Sequence, residues 1–389
     1  MKVEQRVWSD PEGWKVEGRP SLSGSAQLVF VFGKRQVLRR VDLLDDVRHE
    51  YPNAHMFGCS TAGEILGAHV YDGSLVVTAV RFDNIQLRGK QLDLDSTTNS
   101  YAAGEYLARA LPASIRSSMT AMEDGLEHVI VFSDGLNVNG SELVNGLTEN
   151  LPESVTITGG LAGDGEAFGE TVVFWDSDPK KNAIAIMGLY GDRLHVGFSS
   201  MGGWGPFGHE RLVTRSKGNI LYELDGQSAL GLYKKYLGDH ARELPASGLL
   251  FPLSVRTKSS DPGLVRTILS VNEEEQSMTF AGDVPEGSYA RLMKANVDRL
   301  IDGAIGAAKV SRASLVSARP EFAILVSCVG RKLLMKQRTE EEVEGVKEIF
   351  GGSTVITGFY SYGEISPFAP GVKCELHNQS MTITVISEG

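Results

Sequence analysis

Two strings 300 positions apart place a hydroxyl and a carboxylate around the same glycine. Gly58-Cys-Ser-Thr-Ala-Gly-Glu-Ile65 and Gly358-Phe-Tyr-Ser-Tyr-Gly-Glu-Ile365 both read Gly-x-x-(Ser/Thr)-x-Gly-Glu-Ile. Such a loop at a strand end has two uses. Ser60, Thr61, Glu64, Ser361, Tyr362 and Glu364 could converge hydrogen bonds on a polar ligand, because open α/β sheets present their crevices at strand ends. Alternatively, the glutamates accept backbone N–H bonds and hold their own loops, with Gly63 and Gly363 in conformations closed to other residues. A third, weaker string, Val155-Thr-Ile-Thr-Gly-Gly-Leu-Ala-Gly-Asp164, ends on an acidic residue, Asp164. The loop Asp134-Gly-Leu-Asn-Val-Asn-Gly140 holds more polar side chains than a connection needs, so Asp134, Asn137 and Asn139 join the candidates. Ordinary turn chemistry is the alternative there.

Covalent chemistry finds less support. Cys59 stands beside Ser60 and Thr61, but a nucleophilic thiol needs a base, and His55 and His69 are near it only along the chain. An inert buried thiol is the simpler reading. The strings Gly-x-x-x-x-Gly-Lys-(Ser/Thr), Gly-x-Ser-x-Gly, His-Glu-x-x-His and Cys-x-x-Cys-His do not occur, so no common nucleotide, hydrolase, zincin or c-type haem signature is present. The expectation is a protein that is not an enzyme.

Each acidic loop closes a repeated unit. An apolar run (28–32, 129–132, 322–329) ends near a glycine, a helix-like stretch follows, and a second strand leads into the loop. From Gly33 to Gly63 is 30 positions, from Gly330 to Gly363 is 33, and from Gly135 to Gly163 is 28. Strand, helix and strand in this order imply a right-handed crossover and parallel pairing. Strand-like text then follows at 75–81, 171–175 and 381–386. Antiparallel hairpins are expected around Gly191-Asp192 and between 265–271 and 277–281. In the second half, Asp225 is expected to cap a helix over 226–237, and Ser288 a helix over 289–308. The fold class is therefore α/β, with mixed β-sheets covered by helices. The polar stretch 214–219 suggests a boundary, giving an extension over 1–24 and domains over 25–215 and 216–389.

Composition bounds the function. With 389 residues, 42% hydrophobic and 22% charged, the chain is long enough for more than one core and has no long polar tract. A formal charge of -11 opposes binding to nucleic acid or anionic lipid. No apolar run approaches a membrane span, and the opening 1–14 lacks the apolar core of a signal peptide. Three scattered cysteines suggest neither a disulfide framework nor a zinc site, so a cytoplasmic location is expected.

The Gly-Glu strings, Ser133-Asp-Gly-Leu136, Thr158-Gly-Gly-Leu-Ala-Gly-Asp164, Leu224-Asp-Gly-Gln-Ser-Ala229 and Leu376-His-Asn-Gln379, taken in order, resemble the FIST family over nearly the whole chain. That resemblance implies two related FIST domains in a bacterial sensory, ligand-binding protein. It is similar to the stand-alone members that bind haem b, sense nitric oxide and regulate a partner histidine kinase. A sensor of a small polar metabolite such as an amino acid is the alternative, and a thiol-dependent enzyme using Cys59 a third reading. The partners so implied are a sensor histidine kinase or similar signalling protein and a small ligand or diatomic gas, with neither nucleic acid nor membrane. The oligomeric state stays open, a homodimer included. For haem, an axial imidazole needs an apolar wall. His240 follows Tyr233 and Tyr236 and precedes 249–252, with Arg242 beside it for a propionate, so it is the first choice of ligand and His209 the second.

Overall fold

The structure is a computed structural model that describes residues 1–17, 21–95, 98–116, 123–258, 263–315, 318–368 and 371–389. Three units of strand, helix and parallel strand organise it. Leu28–Gly33 pairs in parallel with His55–Ser60, Glu123–Ser133 with Thr156–Leu161, and Phe322–Cys328 with Val355–Ser361. The first strand of each unit contains an apolar run, 28–32, 129–132 and 322–326, where both of its faces are covered. Each also pairs antiparallel with a later strand: Leu75–Arg81, Ala183–Tyr190 and Met381–Glu388 respectively.

The chain then exchanges strands between units. After its second parallel strand the first unit sends Glu64–Leu66 to pair with Val355–Ser361 of the third. The third sends Gly363–Pro367 to Thr156–Leu161 of the second, and the second sends Val173–Trp175 back to His55–Ser60 of the first. At the crossing, Ala62 N–H donates to Tyr360 O at 2.8 Å, Tyr362 N–H to Leu161 O at 3.1 Å, and Gly163 N–H to Ser60 O at 2.9 Å. These three bonds close a ring, which explains why the repeated string sits where it does.

Because the exchange is cyclic, the units share one core. Phe57 and Phe132 stack with ring centroids 4.3 Å apart, and Phe32 lies 4.8 Å from Phe359. Side chains from all three units thus meet, joining residues from both halves of the chain into one body.

Strands from Gly205–Pro206 to Tyr289–Lys294 build a separate nine-stranded sheet with its own core, including Val213, Leu221, Leu230, Tyr233, Met278 and Phe280. The chain returns to the body through the helix Val297–Ala313, which packs on Leu194–Met201 and Met381–Glu388.

Several expectations are corrected by this arrangement. Gly191-Asp192 is not a hairpin turn: Ala183–Tyr190 and Leu194–Met201 enter different sheets, so this turn carries the chain between layers. The stretch 214–219 includes the turn between the paired strands Arg211–Lys217 and Ile220–Leu224. Asp225 does not cap a helix. It sits in a tight turn, accepting from Leu212 N–H and Arg211, while Ser228 caps Ala229–Leu237. The text from Tyr289 is first a strand, Tyr289–Lys294, because it pairs with Leu253–Arg256. The helix starts later, with the Asn296 side chain as its cap. The hairpin of Ile268–Asn272 with Ser277–Phe280 forms as expected. Among the described residues no helix is long and apolar enough to cross a membrane.

Candidate functional site

The two Gly-Glu loops are built alike. Thr61 donates its hydroxyl to Glu64 Oε1 at 2.5 Å, and Ser74 donates its N–H and hydroxyl to Oε2 at 3.1 and 2.7 Å. Ser361 donates to Glu364 Oε1 at 2.6 Å, and Ser380 donates its N–H and hydroxyl to Oε2 at 3.1 and 2.9 Å. Each glutamate therefore ties the exit of one strand to the start of the next. Burial pushes their carboxyls up to about 7 for Glu64 and about 8 for Glu364, against the hydroxyl and amide donors that favour the ionised form. Only Gly63 has a left-handed backbone, with φ 139°. At Gly363 a side chain would press on Leu161 and Leu376, so its role is close packing.

The remaining sequence candidates also take protein partners. Ser60 accepts from Val172 N–H at 3.0 Å. Asp134 accepts from Leu136 N–H, Asn137 N–H and the Thr171 hydroxyl, which folds its own loop. Asp164 accepts from Gly169 and Glu170 N–H and from the Tyr362 hydroxyl, while Tyr362 stacks on Phe168 at 4.6 Å. Asn137 is exposed and bonds to Asn182. Asn139 caps the helix Gly140–Asn150 and donates to Asp283 Oδ1 at 2.8 Å. Cys59 is fully buried in the apolar core, and burial pushes its thiol up, the reverse of nucleophile activation.

A groove of about 550 Å³ opens elsewhere, between the three-unit body and the nine-stranded sheet. The helix Gly140–Asn150 and the strand Cys374–His377 form one wall, and Leu264–Arg266 with Asp283 the other. None of the ten loop residues named from the sequence lines it. Glu364 lies directly behind, however, since its partner Ser380 is on the groove wall. Asn378, also on the wall, donates to Tyr362 O at 3.5 Å.

Sequence reasoning missed the charged residues here. Arg266 is buried, 4% exposed, and donates Nε–H to Asp283 O at 3.0 Å and Nη1–H to Leu376 O at 2.8 Å. Burial lowers its affinity for the proton, while Glu375 and Asp283 act in the opposite sense from a distance. Asp283 itself is held from the body, its N–H donating to the Ser141 hydroxyl at 3.2 Å. His377 donates Nε2–H to Ser366 O at 2.9 Å, and burial pushes it down to about 4, which keeps the ring neutral at pH 7. The string Leu376-His-Asn-Gln379 was the one available signal, and three of its four residues line the groove.

The family follows from the comparison of whole segments. Residues 27–227 match the FIST N domain and residues 229–367 match the FIST C domain. The chain belongs to the FIST family. The two FIST segments meet at Ser228, inside the nine-stranded sheet, so both contribute to the sheet that forms one side of the groove. FIST domains point to a sensory, ligand-binding role. An uncharacterized protein of Methanocaldococcus jannaschii is 22% identical over 350 residues, covering 86% of the FIST chain and 65% of the relative. The chain thus spans about 65% of that relative's length. The crystal structure of a chorismatase aligns over 99% of this chain and 98% of its own, at 9% identity and a TM-score of 0.35.

The residues chosen for haem do not fit it. His240 is exposed in a short 3-10 turn, with Phe251 at 5.8 Å as its ring neighbour, and Arg242 is also exposed, 3.8 Å from Asp239. His209 is exposed above a cavity of about 20 Å³, far below the few hundred Å³ typical of ligand pockets. The cavity beside His209 is lined by Leu224, Leu232, Tyr233 and Leu253 but is too small for a macrocycle, and His240 is exposed with Phe251 beside it. Among the described residues no group of three or more His, Cys, Asp or Glu side chains is placed to hold a metal.

Proposed function

We propose that this FIST protein is a sensor, without turnover of its own, that binds a small polar ligand of amino-acid size in the groove and signals to a separate protein such as a sensor histidine kinase. The observation that carries this reading is the groove itself. Its volume of about 550 Å³ lies within the range of small-molecule sites, and its polar groups come from two packed bodies. A ligand contacting both walls would favour one arrangement of the nine-stranded sheet on the body, which is how binding can become a signal. The family supports a ligand-binding sensor, and the exposed settings of His240 and His209 favour the metabolite reading over haem.

The test is a thermal-shift screen of polar metabolites on the full chain, repeated on Asn145→Trp and Val265→Trp, which fill the groove from opposite walls. Stabilising ligands should lose their effect in both variants. A ligand that binds them as tightly as the parent, or a Soret band at one haem per chain that disappears in His240→Ala, would refute the proposal.

A further inference from the structure

Two buried arginines in this chain differ in a way that packing alone does not explain. Arg331 is fully buried, and its charge is answered: Nη2 lies 2.6 Å from the equally buried Glu342, with Gly202 O and Leu300 O taking further N–H groups. Arg266 is buried too, but its partners are two backbone carbonyls, and among the described residues no carboxylate lies within ion-pair distance. A buried charge costs several kcal/mol unless a counter-charge or a full set of hydrogen bonds compensates it. A guanidinium has five N–H donors, of which Arg266 commits two, and Nη2 has no protein partner among the described residues. Those donors belong to a side chain that lines the groove.

We propose that the groove takes a ligand bearing a carboxylate, received by the uncommitted N–H groups of Arg266. This rests on the reading of the groove as the ligand site. A planar carboxylate accepts two parallel N–H bonds from a guanidinium, and such charge-assisted pairs are roughly twice as strong as neutral ones. Apart from Arg266, the charged side chains lining the groove balance, Arg256 and Lys373 against Asp283 and Glu375, so a doubly charged phosphate would exceed the one positive charge left over. That balance leaves room for a single negative charge aimed at Arg266.

Calorimetric titration of the full chain would compare lactate, alanine and succinate with lactamide, alaninamide and succinamide, with inorganic phosphate as a further probe. At least one acid should bind at millimolar concentration or below, and its amide roughly tenfold or more weakly, as expected for loss of a charge-assisted pair. Arg266→Lys should weaken the acid and Arg266→Met should abolish its binding, with thermal melts confirming that each variant folds. If Arg266→Met does not fold, the comparison of acids with amides on the parent decides alone. Amides binding as well as their acids, phosphate outcompeting every acid, or no acid binding at millimolar concentration would overturn the proposal. The two failures are distinguishable. Acid binding that survives Asn145→Trp and Val265→Trp places the ligand outside the groove, whereas binding of an amide that these variants abolish keeps the groove and rejects the carboxylate.

Discussion

Replacing Glu64 and Glu364 together by glutamine should change how stability depends on pH, with a sign set by four buried groups. In the folded chain Glu64 and Glu364 titrate near 7 and 8 instead of 4.5, and His128 and His377 near 3 and 4 instead of 6.5, in each case chiefly through burial. A glutamate with a raised value adds stability that is full below 4.5 and is lost as pH rises through its folded value. A histidine with a lowered value adds stability that is full above 6.5 and is lost as pH falls towards its folded value. Between 4.5 and 6.5 the native state holds two protons more at the glutamates and two fewer at the histidines, so the slopes cancel. Above 6.5 both histidines are neutral in both states, and the glutamates alone act. Integrating the linkage for folded values near 7 and 8 gives a loss of about 2 kcal/mol between pH 6.5 and 8. In Glu64→Gln/Glu364→Gln the amide can still accept from Ser74 or Ser380 and donate to the Thr61 or Ser361 hydroxyl. That variant should therefore lose the decline above 6.5 and gain stability with pH below it, where only the histidines remain. Urea unfolding across this range measures both. A parent stability that is flat from pH 6.5 to 8, or a double variant that declines as steeply as the parent, would show that burial does not control these carboxyls.

Three further outcomes follow from the packing. Phe57→Ala or Phe132→Ala should cost about 3–5 kcal/mol in urea unfolding, because each ring fills the core shared by the three units. Losses below 1 kcal/mol would argue against a shared core. Arg331→Met should cost about 3–5 kcal/mol by leaving Glu342 buried without its counter-charge, with only the Ser327 and Tyr360 hydroxyls donating to it, and Arg331→Met/Glu342→Leu should recover much of that loss. A double variant no better than the single one, measured by the same unfolding, removes the ion pair as the cause. All three cysteines, Cys59, Cys328 and Cys374, are buried, so a thiol reagent should react only on unfolding. A fast-reacting native thiol that disappears in Cys59→Ser would favour the thiol-dependent enzyme reading instead.

The parts legible in the sequence were those carried by local pattern. The runs 28–32 and 322–329 read as strands because both faces are apolar, and the matched Gly-Glu strings marked equivalent turns, as the paired clamps on Glu64 and Glu364 now show. The text at Tyr289 misled because Leu292 and Met293 run on into the helical stripe of Val297, Leu300, Ile301, Ala304 and Ile305, while pairing with Leu253–Arg256 decided in favour of a strand before that helix. Gly191-Asp192 misled because a turn dipeptide reports only that the chain bends and not which sheet it enters next. The candidate loops were found at the right ends of strands, but three mutually exchanged strands turned those ends inwards and gave Ser60, Thr61 and Ser361 protein partners.

By itself, then, the sequence determined three strand, helix and strand units and the acidic loop closing each, since each depends on residues within about 30 positions of one another, and the FIST resemblance, which needs only the order of short strings along the chain. Tertiary structure decided the cyclic exchange of Glu64–Leu66, Val173–Trp175 and Gly363–Pro367, and with it which polar residues face inwards. It alone assembled the groove, where Ser141, Arg266, Asp283 and His377 come from distant parts of the chain. Nothing local marks Arg266 as buried. Its charge acquires a role only because the nine-stranded sheet sets it against the carbonyl of Leu376, 110 positions away.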